Sequence, residues 1–425
     1  MGPDLRSLLS DRLVDAPGTA LPVWPVPLSD AERIERWRSS GAAALTGRSD
    51  GPPLDPPLGL FERIDLIGRQ LSALMKATAL RMRSRPVEAI DPFVMLALRA
   101  RHAGLERRSP FSCGGSTKLL RLQDGWMALC LARPSDVESL PALLGIDDSP
   151  AEPWAAVERS IISGGTRSVD LLLERAVLLG LAVARMGETP VPSASAPAVV
   201  FAPVGARRQA EGTTKPRVVD FSALWAGPLC AHLLGMAGFD VVKVESFDRP
   251  DGARFGPPGF YAELHTGQHT GDGERTYDFG DPTDRAAVIE LVAGADVVIE
   301  SSRPRALERL GLTPGRDHVW VSITGHGRNG RSSERIAFGD DAAVAGGLVV
   351  DDGSGPCFCA DAIADPLTGM VAAWAALAAW QSGSAGLLDV AMARVSAWFA
   401  ADARQEPISR RPVAARGALG AKGPA

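Results

Sequence analysis

Cysteine is scarce in this chain and widely spaced. The five cysteines are an odd number, and none falls in the Cys and His spacing that zinc sites use. A disulfide framework and a structural metal are therefore not expected, and sparse cysteine suits a reducing cytoplasm. The five are Cys113, Cys130, Cys230, Cys357 and Cys359.

An excess of positive charge and a long apolar run are also missing. The 45 Lys and Arg residues are outnumbered by 50 Asp and Glu, so a nucleic-acid partner is not expected. The most apolar helix candidate, residues 169–186, is interrupted by Glu174, Arg175 and Arg185. We therefore expect no membrane span, and the first residues lack the basic and then apolar order of a secretion signal.

What the chain does contain is a repeated alternation of strands and helices in its second half. Val218 and Val219 favour a strand, Pro228 suits the first turn of a helix, and Gly238 suits a helix end. The same pattern continues to Thr324 and predicts a doubly wound, mostly parallel sheet. The elements predicted are strands at 218–221, 241–245, 296–300 and 319–324, and helices at 228–237, 285–293 and 304–310.

The first half is organised differently, and it divides into three predicted segments. Residues 1–60 are rich in proline and glycine and predict an irregular arm. Residues 61–190 predict a smaller helical or α+β domain that includes a hairpin turning at Asp124 and Gly125. Residues 191–216 predict a linker, so the α/β domain spans 217–425.

The individual residues of the second half are more specific than its alternation of strands and helices. The run DFSALWAGPLCAHLLGMAGFDVVKVE closely resembles the opening of family III CoA-transferases, the group of formyl-CoA transferase, carnitine CoA-transferase and alpha-methylacyl-CoA racemase. Eight separated stretches follow the family order over about residues 218–400. They are AGP, VVKVE, DGAR, ADVVIESSRPRALERLGL, VSITGHG, DDAAVAGGL, ADAIADPLTG and SGSAGLLDVAM. The resemblance implies a Rossmann-like sheet.

The middle of the chain resembles the small domain of the same family. RLQDGWMALCLA and GETPVPSASAP are similar to the strand, Asp-Gly turn and later strand of that domain. In the family the small domain follows the first large-domain segment, whereas here it precedes it. The chain is thus expected to be a rearranged relative, with an unrelated α+β domain as the alternative.

Asp365 is the leading candidate for catalysis. From the residues alone, its place before Pro366 at the start of an apolar helix also fits a carboxylate that caps the helix. The resemblance implies instead the family's catalytic carboxylate, which attacks an acyl-CoA thioester and passes through a mixed anhydride and an aspartyl-CoA thioester. The implied function is transfer of CoA between an acyl-CoA and a carboxylic acid.

Coenzyme A, as substrate, is implied to meet residues on three elements. A turn of small residues lets a ligand approach the backbone, and a guanidinium binds phosphate through paired donors. Each residue also has a plainer alternative, a steric turn or a solvated surface side chain. The residues are Ala226, Gly227 and Pro228 in the turn, the cations Arg254 and Arg309, and Ser301 and Ser302 where the family often has Asn-Phe.

The chain departs from the family at two motifs. The family's Asn-Arg-Gly-Lys is replaced by a run with Gln268, and the racemase histidine is absent at Gly339-Asp340-Asp341. A metal site at His265, His269 and Asp272 is not expected because no second cluster of potential ligands accompanies them. The alternatives left open are a catalytically degenerate CoA-binding or scaffold homologue and a racemase. The resemblance also implies a homodimer.

Overall fold

The computed structural model describes residues 4–10, 13, 26–163, 168–206, 215–265, 273–303 and 306–401. A seven-stranded sheet forms its centre, in the order β4-β12-β9-β8-β5-β6-β7. Neighbouring strands are parallel throughout except for β4, which pairs antiparallel with β12. The strands are β4 (Val199–Ala206), β5 (Arg217–Asp220), β6 (Asp240–Ser246), β7 (Glu274–Tyr277), β8 (Val297–Glu300), β9 (Val319–Thr324) and β12 (Ser384–Ala391).

Helices cover both faces of this sheet, because alternate strand residues are apolar on either side. Val218 and Val297 face the larger core, whereas Val219 and Val298 face a smaller one closed by α12. The helices that follow the sheet strands are α10 (Ala226–Met236), α11 (Pro258–His265), α12 (Pro282–Ala293), α13 (Gly339–Ala345), α14 (Ala364–Gln381) and α15 (Met392–Phe399). The predicted α/β, doubly wound and mostly parallel sheet is confirmed.

A smaller α+β unit precedes the large sheet, as predicted. Its antiparallel sheet is β1 (Thr117–Leu122), β2 (Gly125–Cys130) and β3 (Ala182–Arg185), and the turn between β1 and β2 is formed by Gln123 and Asp124, one residue earlier than predicted. Its helices are α6 (Pro134–Glu138), α7 (Leu140–Leu144), α8 (Pro153–Ile162) and α9 (Val169–Leu178). The backbone after β3 contacts α13, where the amide of Gly187 donates to the carbonyl of Val344 at 2.9 Å.

The remaining elements lie around these two sheets. The N-terminal helices are α1 (Leu5–Leu8), α2 (Asp30–Ser39), α3 (Leu58–Arg81), α4 (Pro92–Met95) and α5 (Leu98–Ala103). The hairpin β10 (Val349–Asp351) and β11 (Pro356–Phe358) follows α13, and short 3-10 turns occupy Ala43–Leu45, Gly252–Phe255 and Glu308–Leu310. Within the described residues, no helix has the length and apolar content needed to cross a bilayer.

The packing differs from the predicted division of the chain at two elements. Helix α3, assigned to the small domain, packs in the main core with α10 and α14, because its apolar stripe includes Ile64, Leu71 and Met75. Strand β4 lies within the predicted linker and forms an edge of the large sheet, where Pro203 is tolerated. The predicted helix at 304–310 is reduced to a 3-10 turn, Glu308–Leu310, with residues 304 and 305 outside the described part.

Candidate active site

A cavity of about 200 Å³ opens at the carboxyl ends of β5, β8 and β9. The turn after β5, the residues after β8 and the segment 333–338 form its walls, and Asp365 and Met392 complete the lining. In open α/β sheets, ligands bind at this edge, where the loops after parallel strands converge. The cavity thus lies where the fold is expected to hold a ligand.

Asp365 is the second residue of α14 and is half-buried, with part of its surface in the cavity. The residue at the N-cap is Ile363, so Asp365 is not the capping residue that the alternative reading of the sequence required. The backbone amide of Ala226, at the start of α10, acts to lower the pKa of the Asp365 carboxyl. A Cβ added to Gly339 would lie 2.2 Å from Asp365 Oδ2, so only glycine leaves room for this carboxylate. Two helix starts and one glycine thereby fix the position of the side chain.

One cation from the first quarter of the chain pairs with a neighbouring carboxylate, Asp361. Arg99, on α5, donates from Nε to Oδ2 of Asp361 at 2.8 Å, and its Nη2 contacts the other oxygen. Burial raises the pKa of Asp365 to about 7; Arg99 opposes this, whereas Asp340 and Asp361 add to it. The carboxylate is therefore close to half ionised at neutral pH, as a group poised for chemistry would be.

Two further carboxylates stand on α13 beside Asp365. Burial raises the pKa of Asp340 to about 6 and that of Asp341 to about 8. Asp340 accepts from the amide of Ala362 at 3.2 Å and from the Thr117 hydroxyl at 3.3 Å. Asp341 accepts from the amide of Phe338 at 2.8 Å, and its Oδ2 is buried without a partner among the described residues. The site is a cluster of acids in which, among the described residues, only Asp361 has an ion-pair partner, Arg99.

The turn between β5 and α10 is held by hydrogen bonds from neighbouring loops. Leu224 has a φ of 70°, a left-handed conformation that is costly for a residue with a side chain. Its amide donates to Asp251 Oδ1 at 2.8 Å, and the amide of Ala223 donates to the Ser301 hydroxyl at 3.1 Å. A Cβ on Gly227 would lie 2.1 Å from Ser222, so the turn also requires glycine at this position. The strained turn is thus tied down on two sides.

The structure brings five of the eight predicted site residues to the cavity. Ala226, Gly227, Ser301, Ser302 and Asp365 line it. The Ser302 hydroxyl donates to Glu300 Oε2 at 3.1 Å, so this serine is also anchored at the end of β8.

The other three predicted residues do not line the cavity. Pro228 is buried within the first turn of α10, and Arg309 is exposed on a 3-10 turn. Arg254 is engaged elsewhere, 2.9 Å from Glu245 and 2.7 Å from Glu274. An arginine whose donors already meet two carboxylates has few left for a phosphate.

Sequence reasoning missed three arginines of the site. Arg335 lines the cavity, with its Nη2 2.6 Å from Glu188 Oε1. Arg303 lines the cavity and is exposed, and only its position two residues after Ser301 could have indicated it. Arg99 carries no signal at all, because its pairing with Asp361 joins residues 262 positions apart in the chain.

His265, one of the residues considered for a metal site, has the contacts of a core residue. His265 is buried, with Nδ1 2.7 Å from the carbonyl oxygen of Tyr261 and its ring stacked on the Tyr261 ring. His269, Asp272 and Gln268 lie outside the described residues. Elsewhere in the described ranges, no group of three or more potential metal ligands occurs.

Residues 215–423 match the family model described as CoA-transferase family III. The beta subunit of succinyl-CoA–L-malate CoA-transferase from Chloroflexus aurantiacus is 34% identical over 31% of this chain and 35% of its own length. Succinate–glutarate CoA-transferase from Agrobacterium fabrum is 30% identical over 46% of this chain and 55% of its own length. A crystal structure of a CAIB/BAIF family protein from Brucella suis has 26% identity and a TM-score of 0.40, over 45% of this chain and 55% of that one. The chain spans roughly a third to a half of the lengths of the relatives it matches first.

Proposed function

Since residues 215–423 belong to CoA-transferase family III, we propose that the chain is a CoA-transferase with Asp365 as its nucleophile. The observation that carries the proposal is that Asp365 lines the cavity at the carboxyl edge of the sheet together with Ala226, Gly227, Ser301 and Ser302. Five residues assigned by resemblance from three separate elements meet at one cavity. A helix-capping role for Asp365 would not require any of the other four to be near it.

Asp365 does the chemistry in four steps. Its ionised carboxylate attacks the thioester carbonyl carbon, the carbon–sulfur bond breaks, and the CoA thiolate leaves, giving an acyl-aspartyl anhydride. The thiolate then attacks the aspartyl carbonyl, which releases the donor acid and leaves an aspartyl-CoA thioester. The acceptor carboxylate attacks that carbonyl in turn and expels the thiolate. Finally, the thiolate attacks the new acyl carbonyl, which forms the product acyl-CoA and frees the Asp365 carboxylate.

The surroundings of Asp365 suit these steps. Burial raises the pKa of Asp365 to about 7, so the ionised form is a stronger nucleophile than an ordinary aspartate while still populated at neutral pH. A buried site also keeps water from the anhydride, which would otherwise be lost by hydrolysis. The N-terminus of α10, through the Ala226 amide, supports the negative charge on the carboxylate.

The volume of the cavity favours a substrate with a short acyl group. That volume of about 200 Å³ is smaller than typical pockets for drug-sized ligands. The two curated relatives described above are named for succinate, malate and glutarate, which are short dicarboxylic acids. We propose a short acyl-CoA donor and a short carboxylic acid acceptor, with Arg303 as the cation at the cavity available to a CoA phosphate or to a second carboxylate.

Transfer is favoured over racemisation by the contacts of Asp340. This residue stands where the racemase branch has its histidine, and both of its oxygens already accept hydrogen bonds, from Ala362 and Thr117. Asp340 is also buried and does not line the cavity, so it is not placed as a second base that exchanges a proton with the substrate. A homodimer and a cytoplasmic location remain predictions.

The test is trapping of the covalent intermediate. Wild type, Asp365→Asn and the surface control Asp147→Asn are incubated with a panel of short acyl-CoAs and acids, then quenched with hydroxylamine or borohydride. Peptide mass spectrometry should find a hydroxamate or a reduced derivative at Asp365 in wild type and in the control, and none in Asp365→Asn. CoA binding by calorimetry without any adduct or turnover would contradict transfer and leave a binding homologue.

A further inference from the structure

Arg335 lines the cavity and is held there by the small α+β unit. Its Nη2 donates to the carbonyl oxygen of Val183 on β3 at 2.8 Å and to Glu188 Oε1 at 2.6 Å. The backbone on either side of Glu188 is attached to α13, because the amides of Gly187 and Thr189 donate to carbonyls of that helix at 2.9 and 3.0 Å. A guanidinium that meets two acceptors on a fixed backbone keeps one orientation.

The same guanidinium has donors that no described residue uses. Every hydrogen bond that its side chain makes within the described part of the chain leaves from Nη2, and Nε is buried without a partner there. Arginine carries five N–H donors, and buried donors are nearly always paired in folded proteins. Arg335 therefore calls for an acceptor that the described residues do not supply.

The segment that carries Arg335 is packed closely against the carboxyl end of β9. A Cβ added to Gly325, just after β9, would lie 2.6 Å from the Cβ of Ala337, so the segment approaches the sheet as closely as a glycine permits. Arg335 and Asp365 line the same cavity of about 200 Å³. A short molecule with one end at Asp365 therefore has its remaining atoms close to this wall.

We propose that Arg335 is a specificity-determining residue that binds a second carboxylate of the substrate, at the end of a short acyl chain away from the thioester. The inference rests on the proposed function for the reaction at Asp365, but binding of the acid does not depend on that reaction. The substrate class is a short dicarboxylic acid. A monocarboxylic acid of equal length would place a methyl group against the guanidinium and leave its donors without an acceptor.

The other charged side chains of the cavity wall suit this role less well. Arg303 and Glu334 are exposed, so water competes for them, and Glu334 would repel a carboxylate. The side chain of Arg335 is only 11% exposed, and Glu188 fixes one side of the fork while the other donors stay open. A shielded, oriented guanidinium separates a carboxylate from a methyl group more sharply than an exposed one does. Arg303 stays available to a CoA phosphate.

The experiment measures the preference for a dicarboxylic over a monocarboxylic acid of equal length. Calorimetry on the full-length protein gives the Kd for succinate and for butyrate, with and without CoA, and adduct formation with succinyl-CoA and butyryl-CoA gives the same ratio for the reaction. Wild type should prefer the dicarboxylic member of each pair. Arg335→Gln should lower that preference about tenfold or more, by weakening the dicarboxylic member alone.

Two further variants control for the charge and for the segment. Arg335→Lys keeps the charge without the paired donors and should retain only part of the preference. Arg331→Gln changes an exposed arginine of the same segment that does not line the cavity, and it should retain all of the preference. Circular dichroism checks the fold of each variant, and if Arg335→Gln does not fold, the comparison of Arg335→Lys with wild type decides.

The outcomes separate this inference from the proposed function. No preference in wild type, an unchanged preference in the Arg335 variants, or equal weakening of both acids overturns the inference. Loss of the preference in Arg303→Gln instead would also overturn it and assign the second carboxylate to Arg303. A preference that depends on Arg335, without an adduct in wild type, would uphold the binding site and reject only the transferase proposal. An adduct with an unchanged preference would do the reverse.

Discussion

Two groups of charged side chains flank the turn after β5, and they differ in how the charges are paired. In the first, the ion-pair network, two cations hold four carboxylates. Lys243 lies 3.0 Å from Asp251 and 3.6 Å from Asp220, while Arg254 contacts two glutamates at 2.9 and 2.7 Å. Each of these carboxylates therefore has a cation within 4.0 Å. The glutamates are Glu245 and Glu274.

In the second group, the acid cluster of Asp340, Asp341, Asp361 and Asp365, only Asp361 has such a cation among the described residues. The pKa values move in opposite directions in the two groups. Burial acts to raise the pKa of every one of these carboxyls whose shift is resolved, but in the ion-pair network the contacts with Lys243 and Arg254 outweigh it and lower the pKa of Asp251, Glu245 and Glu274. In the acid cluster burial prevails.

This difference separates two uses of a buried carboxylate. A paired carboxylate stays ionised and fixes structure, as Asp251 does when it binds the Leu224 amide of the strained turn. A buried carboxyl group without a cation has a pKa near neutrality and can take part in chemistry. Arg254, which the family resemblance assigned to CoA, belongs to the group that fixes structure.

The largest effect should come from Lys243→Met, which breaks the ion-pair network at its centre. Lys243 is 1% exposed, so its loss leaves Asp220 and Asp251 buried without their cation. We expect a loss of about 3–5 kcal/mol in the free energy of unfolding. Urea denaturation followed by circular dichroism measures it, with the exposed Arg249→Gln in the same loop as the control. A loss below about 1 kcal/mol would show that the network does not hold the turn.

The next largest effect should separate two arginines. Arg254 was assigned to CoA from the sequence, and Arg303 lines the cavity in the structure. Because Arg303 lines the cavity and Arg254 does not, Arg303→Gln should raise the Kd for CoA about tenfold, equivalent to about 1.4 kcal/mol. Arg254→Gln should leave that Kd within about twofold and cost about 1 kcal/mol of stability, since the side chain is 34% exposed. Calorimetric titration with CoA measures both variants. A weakened Kd in Arg254→Gln alone would restore the assignment made from the sequence.

The smallest effect should be a gain, from Asp341→Asn in the acid cluster. Burial raises the pKa of Asp341 to about 8, whereas the unfolded value is about 3.9. Between these pH values the folded chain keeps a proton that the unfolded chain has lost, so the stability of wild type falls as pH rises. The variant lacks this penalty and should be more stable by about 1 kcal/mol or more at pH 8.5, with little difference at pH 4.

Thermal unfolding at several pH values measures this gain, and the ion-pair network supplies the control. The pKa of Glu245 is lowered, so its ionised form adds stability above pH 4.5 that Glu245→Gln should lose. A gain in that variant, or a loss in Asp341→Asn at pH 8.5, would contradict the contrast between the two groups.

The sequence by itself determined the sheet and most of one wall of the site. Local signals suffice there: adjacent β-branched residues set β5 and β8, and small residues at Ala226 and Gly227 set the turn. Parallel strands then bring their carboxyl ends together as a matter of topology, so Ser301 could be placed near the turn from its position after β8, whereas Asp365 was assigned to the site by the family resemblance.

Only the tertiary structure decided which charges stand beside Asp365. The pairing of Arg99 with Asp361 and the edge position of β4 each depend on contacts between distant parts of the chain. Electrostatic interactions and burial depend on distance in space, and a local pattern of residues carries no information about them. The same carboxyl group is therefore a structural anion or a reactive one according to the fold around it.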